Sequence, residues 1–297
     1  MKHLIAWFAP VALAATAAFS AAPPPPAFSV TVAGHGKPML LIPGLSCPGE
    51  VWDTTVARFQ DRYTCHVLTL AGFPGGPAHP AGPVIQPVRE AIAAYVREQK
   101  LDHPIIVGHS LGGFLALQVA AKYPDLVGPL VIVDSVPFLF GMIRPGGTVE
   151  QARASMEGMT QIWSAMDNAT YEQNIRSGAA TRSMVASDEN HARIVEWSLA
   201  SDRSTIATAM LEMFSTDLRA DLVAIKAPTL VLGAWRGYEQ FTNHERTEQN
   251  LREQYAKLDG VTITITDTAH HFIMLDDPQW MFAQMEAFLG QSAGDAH

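Results

Sequence analysis

Residues 105–113 read Ile-Ile-Val-Gly-His-Ser-Leu-Gly-Gly, and Ala116, Leu117, Val119 and Ala120 follow at helical spacing. The β-branched run signals a buried strand and the periodic apolar residues after it a helix. A strand that turns into a helix across one serine has little room. The serine takes a strained backbone conformation, and the positions two before and two after it must carry no bulky side chain. Gly108 and Gly112 meet that demand. The turn exposes the Ser110 hydroxyl above the strand, at the positive end of the following helix, where developing negative charge is favoured. The spacing G-x-S-x-G is common by chance, but between a strand and a helix it is specific.

The rest of the chain alternates short apolar runs with longer helical patterns, the signature of an α/β fold whose mostly parallel sheet has helices on both faces. Strands are expected at Phe28–Val32, Met39–Ile42, His66–Leu70, Ile105–Val107, Leu130–Val133, Thr229–Leu232 and Val261–Ile265. Helices are expected at Val84–Gln99, Leu111–Tyr123, Asn243–Lys257 and Gln279–Leu289. From Val136 to about Asp221 the strand signal disappears, which predicts a helical insertion. Met156, Met159, Trp163 and Met166 form one apolar stripe there, and Ile206, Met210, Met213 and Phe214 another. Such stripes are expected to pack the insertion onto the main domain; the alternative is that some of them line a pocket.

With 48% hydrophobic and 16% charged residues in 297, the chain can bury a substantial core and is not an intrinsically disordered protein. A net charge of −9 offers no basic field for nucleic acid or anionic lipid. Two cysteines, outside any CxxC or Cys/His spacing, predict neither a disulfide framework nor a metal site. Residues 1–22 have the layout of a secretory signal: Lys2 and His3, an apolar run from Leu4 to Phe19, then small residues. The apolar run is short for a membrane span. Cleavage after Ser20 would leave a proline-rich linker over residues 21–27 and a secreted or periplasmic protein without a membrane anchor. The expected organisation is a core of residues 28–135 and 222–290 with a helical cap of 136–221.

The strand, the G-x-S-x-G turn and the helix after it resemble the nucleophile elbow of the α/β-hydrolases, and the helical insertion stands where that family carries its cap. The resemblance spans about Phe28 to Leu289 and implies an acyl-transfer chemistry with a serine nucleophile. It implies an oxyanion hole made of two backbone N–H groups, those of Leu111 and of Leu45 in Leu40-Leu41-Ile42-Pro43-Gly44-Leu45. Pro43 departs from the family's usual His-Gly-X, and the alternative for this segment is an ordinary strand-ending turn. The resemblance implies a catalytic histidine after the last strand. In Thr268-Ala269-His270-His271-Phe272, anchoring on Phe272 and Pro278 selects His271 over His270. His109, inside the elbow, is expected to support the turn.

The triad acid departs from the family's usual place. Arg236 stands about where an Asp is expected after Thr229–Leu232. Asp134, one strand earlier, is the preferred acid because some family members carry theirs there. Glu239 is the alternative, and a capping role is the alternative for Asp134. In the family's parallel sheet, Cys47 follows the upper end of its strand and Cys65 begins the lower end of a neighbour, so their separation exceeds the ~7 Å that a disulfide bridges. Ser110, His271 and an acid imply hydrolysis of small or medium carboxylic esters through an acyl-enzyme, without metal or cofactor. Amide or lactone hydrolysis, and a binding protein that has lost catalysis, are the alternatives.

Overall fold

The computed structural model describes residues 26–179 and 181–294; the expected leader, its cleavage site and the expected linker as far as Pro25 lie outside the described residues. Seven strands form one sheet: β1 (Phe28–Gly34), β2 (Lys37–Ile42), β3 (Tyr63–Leu70), β4 (Ile105–His109), β5 (Leu130–Val133), β6 (Thr229–Ala234) and β7 (Thr262–Thr266). Their order is β1-β3-β2-β4-β5-β6-β7. β1 runs antiparallel to β3, and every other neighbouring pair is parallel.

Side chains alternate across the sheet with the period of two that a strand imposes. Leu40, Ile42, Ile106, Leu130, Ile132 and Val231 join one core, with Phe114 and Leu117 of helix Leu111–Lys122 and Val88 and Ile92 of helix Ile85–Glu98. Met39, Leu41, Val107, Val131, Val133, Leu230 and Leu232 join the other, with Trp52, Phe59, Met281 and Met285. Because both faces are covered, β4, β5 and β6 are buried at every position and read as continuous apolar runs. Helix Leu111–Lys122 is buried from Leu111 through Ala120, which is why its sequence is apolar all round. The helix Asp53–Phe59 was not among the expected elements; at seven residues it is too short to carry a clear periodicity.

Between β5 and β6 the described residues form the α-helices Leu139–Ile143, Val149–Ala165, Asn168–Arg176, Asp188–Ala200 and Arg203–Phe214. The last four begin at side-chain caps. Thr148, Asp167, Ser187 and Asp202 each accept the N–H three residues on, and Thr148 forms a capping box with Gln151. Two carboxylates fasten the insertion to the rest of the domain. Glu212 accepts the N–H groups of Val84 (3.2 Å) and Ile85 (2.7 Å), at a helix start where a negative charge suits the dipole. Asp276 accepts the N–H of Ala186 (3.0 Å).

Parallel strands end together. Leu45, Ser110, Asp134 and His271 lie beyond the carboxyl ends of β2, β4, β5 and β7, so residues far apart in sequence arrive at one edge of the sheet. That edge is where open α/β sheets bind their ligands.

Candidate active site

Ser110 has φ 51° and ψ −115°, a left-handed backbone that non-glycine residues rarely take. The surroundings hold it there. Its N–H donates to the carbonyl of Val133 (3.0 Å) and its own carbonyl accepts from Phe114 (3.0 Å). A Cβ on Gly108 would lie 2.3 Å from the Gly112 carbonyl oxygen, and one on Gly112 would lie 2.1 Å from that of Ile42. Both clashes are with backbone, so only glycine fits at these two positions, as the spacing requires.

Beside the elbow, a Cβ on Gly44 would lie 3.3 Å from Ser110 Cβ, so the loop after β2 passes close against the serine. The loop turns tightly: the Cys47 N–H donates to the Gly44 carbonyl (3.3 Å) and Ser46 has φ 60°. Leu45 thus stands next to the serine, and the Leu111 N–H opens a helix, where backbone donors have no intrahelical acceptor. Cys47 is buried and its thiol rests on the Leu45 carbonyl (3.3 Å). Burial pushes that thiol up to about 12, only partly opposed by a backbone hydrogen bond at Gly44, so it stays protonated and is a poor nucleophile. Cys47 and Cys65 are both free.

Asp134 ends β5 with φ 42°. Its N–H donates to the carbonyl of Leu232 (2.7 Å), its Oδ1 accepts the Ala234 N–H (2.9 Å), and its Oδ2 accepts from Nδ1 of His271 (2.6 Å). The adjacency of β5 and β6 makes this possible, because β6 supplies the N–H that orients the carboxylate. With Nδ1–H committed to Asp134, Nε2 of His271 carries the lone pair and is the basic nitrogen. Glu239 is elsewhere, exposed and paired with Arg236 (3.1 Å). His270 is held differently: its backbone N–H donates to Asp276 (3.0 Å). Asp276 therefore ties the histidine loop and the insertion to one carboxylate, while Asp277 accepts from the Thr268 hydroxyl and from the Trp280 N–H (3.1 Å).

A profile of the alpha/beta hydrolase family matches residues 39–284. The chain belongs to that family. A pimeloyl-[acyl-carrier protein] methyl ester esterase of Aeromonas hydrophila is 27% identical over 277 residues, 88% of this chain and 99% of that protein. A 2-(acetamidomethylene)succinate hydrolase of Mesorhizobium japonicum is 32% identical over 106 residues, a match that spans 36% of this chain and 38% of that protein. Among solved structures, MenH from S. aureus superposes with a TM-score of 0.73 at 14% identity, covering 90% of this chain and 98% of that one.

In this alpha/beta hydrolase, Ser110 and His271 line one cavity of about 970 Å³ with Leu45 and Asp134. The two side chains share the cavity without a hydrogen bond between Ser110 Oγ and the His271 ring, a contact that tightens in a Michaelis complex. His109 does more than support the turn. It is 1% exposed, its Nε2 donates to the His271 carbonyl (3.1 Å), and its ring lies 4.6 Å from that of His271 and 4.7 Å from that of Phe272. Burial, and then the nearby charge of His271, hold it well below the ordinary histidine range, so it is neutral. Tyr255, buried, donates to the Ser135 carbonyl (2.8 Å); burial and the charge of Asp134 hold its hydroxyl protonated.

The insertion supplies most of the apolar wall, and both expectations for its stripes hold: Met213 joins the main core with Ile206, Met210 and Phe214 packed against it, and the same residues also face the cavity. Met156 is buried away from the cavity, but Trp163 and Met166 line it, as do Ile206, Met210, Met213 and Phe214. A stripe on a helix that crosses above a sheet edge meets the space over that edge as well as the core. The sequence pattern alone does not separate the two. Arg203 and Arg246, which sequence reasoning did not single out, also line the cavity. Among the described residues, no three His, Cys, Asp or Glu side chains cluster so as to hold a metal ion.

Proposed function

We propose that this hydrolase cleaves small or medium carboxylic esters through an acyl-enzyme on Ser110. The contact between His271 Nδ1 and Asp134 Oδ2 carries the reading, because it fixes the tautomer that leaves Nε2 free to act as a base. Ser110 Oγ attacks the ester carbonyl carbon and its proton passes to Nε2. The tetrahedral oxyanion is held by the N–H groups of Leu45 and Leu111, a pair of donors that can lower such a barrier by several kcal/mol. Collapse of the intermediate breaks the bond to the leaving oxygen, which takes the proton from Nε2. A water molecule, deprotonated by Nε2, then attacks the acyl carbon and restores the free serine. Asp134 orients the ring and stabilises the imidazolium, and does not take the proton.

Esters demand less than amides of the acid that protonates the departing atom, and the similarity to a methyl ester esterase along nearly its whole length agrees with an ester substrate. A wall rich in Met and aromatic side chains suits an apolar acyl or aryl group. Amide and lactone hydrolysis use the same groups, and a panel of aryl esters, lactones and acyl amides ranks the three. A fluorophosphonate probe tests the nucleophile. Wild-type protein is expected to be labelled and Ser110→Ala to be silent. A well-folded wild type that takes no label would favour a binding protein without catalysis.

A further inference from the structure

Arg203 opens the helix Arg203–Phe214 and lines the same cavity as Ser110 and His271. Part of its guanidinium has a structural explanation. Nη1 donates to the carbonyl of Met166 (2.8 Å), the residue that closes helix Val149–Ala165, and the group lies over the Tyr171 ring at 4.5 Å. A cation at the carbonyl end of one helix is favourable. The other edge has no such explanation: Nε and Nη2 are enclosed and find no hydrogen-bond partner among the described residues. Interior charged donors left without partners are costly, and a cation in the first turn of a helix is further disfavoured by the dipole.

Nε and Nη2 share one edge of the guanidinium, and their N–H bonds run parallel. That edge is the fork that two carboxylate oxygens match. The charge on the cavity wall agrees. Among the described residues lining it, only Asp134, Arg203 and Arg246 are Asp, Glu, Lys or Arg, and Asp134 is engaged by His271. A chain of net charge −9 thus presents its catalytic cavity with arginines and no free carboxylate. Asn174, on the same wall, spends its side-chain N–H on the sulfur of Met166 (3.2 Å), a weak acceptor that a carboxylate would outcompete.

We propose that Arg203 recognises a carboxylate on the substrate, so that the molecule cleaved at Ser110 is an ester bearing a second, anionic carboxyl group on an apolar chain. The assignment rests on the reading of Ser110 as nucleophile and specifies the substrate class of that site. The fork is enclosed, so binding requires neighbouring side chains to shift, and the carboxylate then pairs with Nε and Nη2 while Nη1 keeps the Met166 carbonyl.

The test compares mono-p-nitrophenyl esters of straight-chain dicarboxylic acids, from four to ten carbons, with p-nitrophenyl esters in which a methyl group replaces the free carboxylate. At its best chain length the wild type is expected to favour the carboxylate by at least tenfold in kcat/KM. Arg203→Gln is expected to bring that ratio to about one, and Arg203→Lys, which keeps the charge without the fork, to an intermediate value. The ratio is internal to each protein, so partial misfolding does not move it, and the lysine variant serves if the glutamine variant does not fold. Straight-chain dicarboxylates added as competitive inhibitors of a neutral ester cover a carboxylate carried on the leaving group, and their inhibition constants should rise at least tenfold in Arg203→Gln. The proposal is overturned if neutral esters are preferred at every length and the dicarboxylates inhibit wild type and Arg203→Gln alike, if the preference survives in Arg203→Gln, or if it is lost in Arg246→Gln instead. Failure of the underlying reading looks different: no ester of either kind is turned over and the fluorophosphonate does not label Ser110.

Discussion

Replacing Asp134 by Asn keeps the size of the side chain and removes its charge, and the surrounding hydrogen bonds determine how much activity is lost. The carboxylate holds two donors, the Ala234 N–H at 2.9 Å and His271 Nδ1 at 2.6 Å, and each side chain of the His271 pair is 17% exposed. An amide has one acceptor oxygen. If that oxygen stays on Ala234, the amide nitrogen faces Nδ1, and the ring must move its proton to Nε2, where it can no longer take one from Ser110. If the amide turns over, the Ala234 N–H faces another donor, at a cost of about 1–3 kcal/mol. In both cases the imidazolium formed during attack loses its counter-charge. For unit charges about 4 Å apart at an effective dielectric near 20, that loss is about 4 kcal/mol. At about 1.4 kcal/mol per decade, the loss of about 4 kcal/mol in the first case and of up to about 7 kcal/mol in the second corresponds to a fall in kcat of roughly 10³–10⁵-fold. Glu239→Gln removes only an exposed pair with Arg236 and should stay within about twofold. Turnover of a p-nitrophenyl ester, normalised to folded protein by circular dichroism, measures both. A loss below tenfold in Asp134→Asn, or a larger loss in Glu239→Gln, would refute the assignment of the acid.

Two further predictions concern stability. Gly112→Ala places a Cβ 2.1 Å from the Ile42 carbonyl oxygen, which cannot move without disturbing β2, so a loss of at least ~3 kcal/mol is expected; Gly158→Ala, in the middle of helix Val149–Ala165 with open space around it, should gain about 0.5–1 kcal/mol. Equal melting temperatures for the two variants would contradict the elbow geometry. His109 is held below its unfolded pKa, so the unfolded chain binds the proton first and stability falls as pH drops below about 6.5. Urea unfolding between pH 7 and 5 should show this part of the loss missing from His109→Gln, with an identical loss in both proteins counting against a neutral buried ring.

The sheet was legible because its inner strands are buried on both faces, so that Ile105–Val107 and Leu130–Val133 stand out as apolar runs between polar turns. Ser110 was legible because the clash around Gly108 and Gly112 leaves a mark in the spacing. His271 needed the downstream Phe272 and Pro278, since His270 has the same chemistry and differs only in where the loop points it. Asp134 was legible as a strand end. Its preference over Glu239 came from the family resemblance alone; that β5 lies beside β6, and that a tight turn pairs Glu239 with Arg236 three residues before it, is visible only in the structure. Arg203 was not legible. Its environment is made by Met166 and Tyr171 from two other parts of the insertion, and nothing in the local sequence records that meeting. The role of the insertion's apolar stripes was hidden for the same reason: periodicity reports which side is apolar, not whether a core or a cavity lies opposite.

In the proposed reaction the acyl group passes through Ser110. Mixing the protein with a p-nitrophenyl ester, quenching in acid during turnover and weighing the proteolytic peptide that contains residue 110 tests it directly. A single acyl group on Ser110, absent from Ser110→Ala, is expected. An acyl group on Cys47, or turnover that survives in Ser110→Ala, would contradict it.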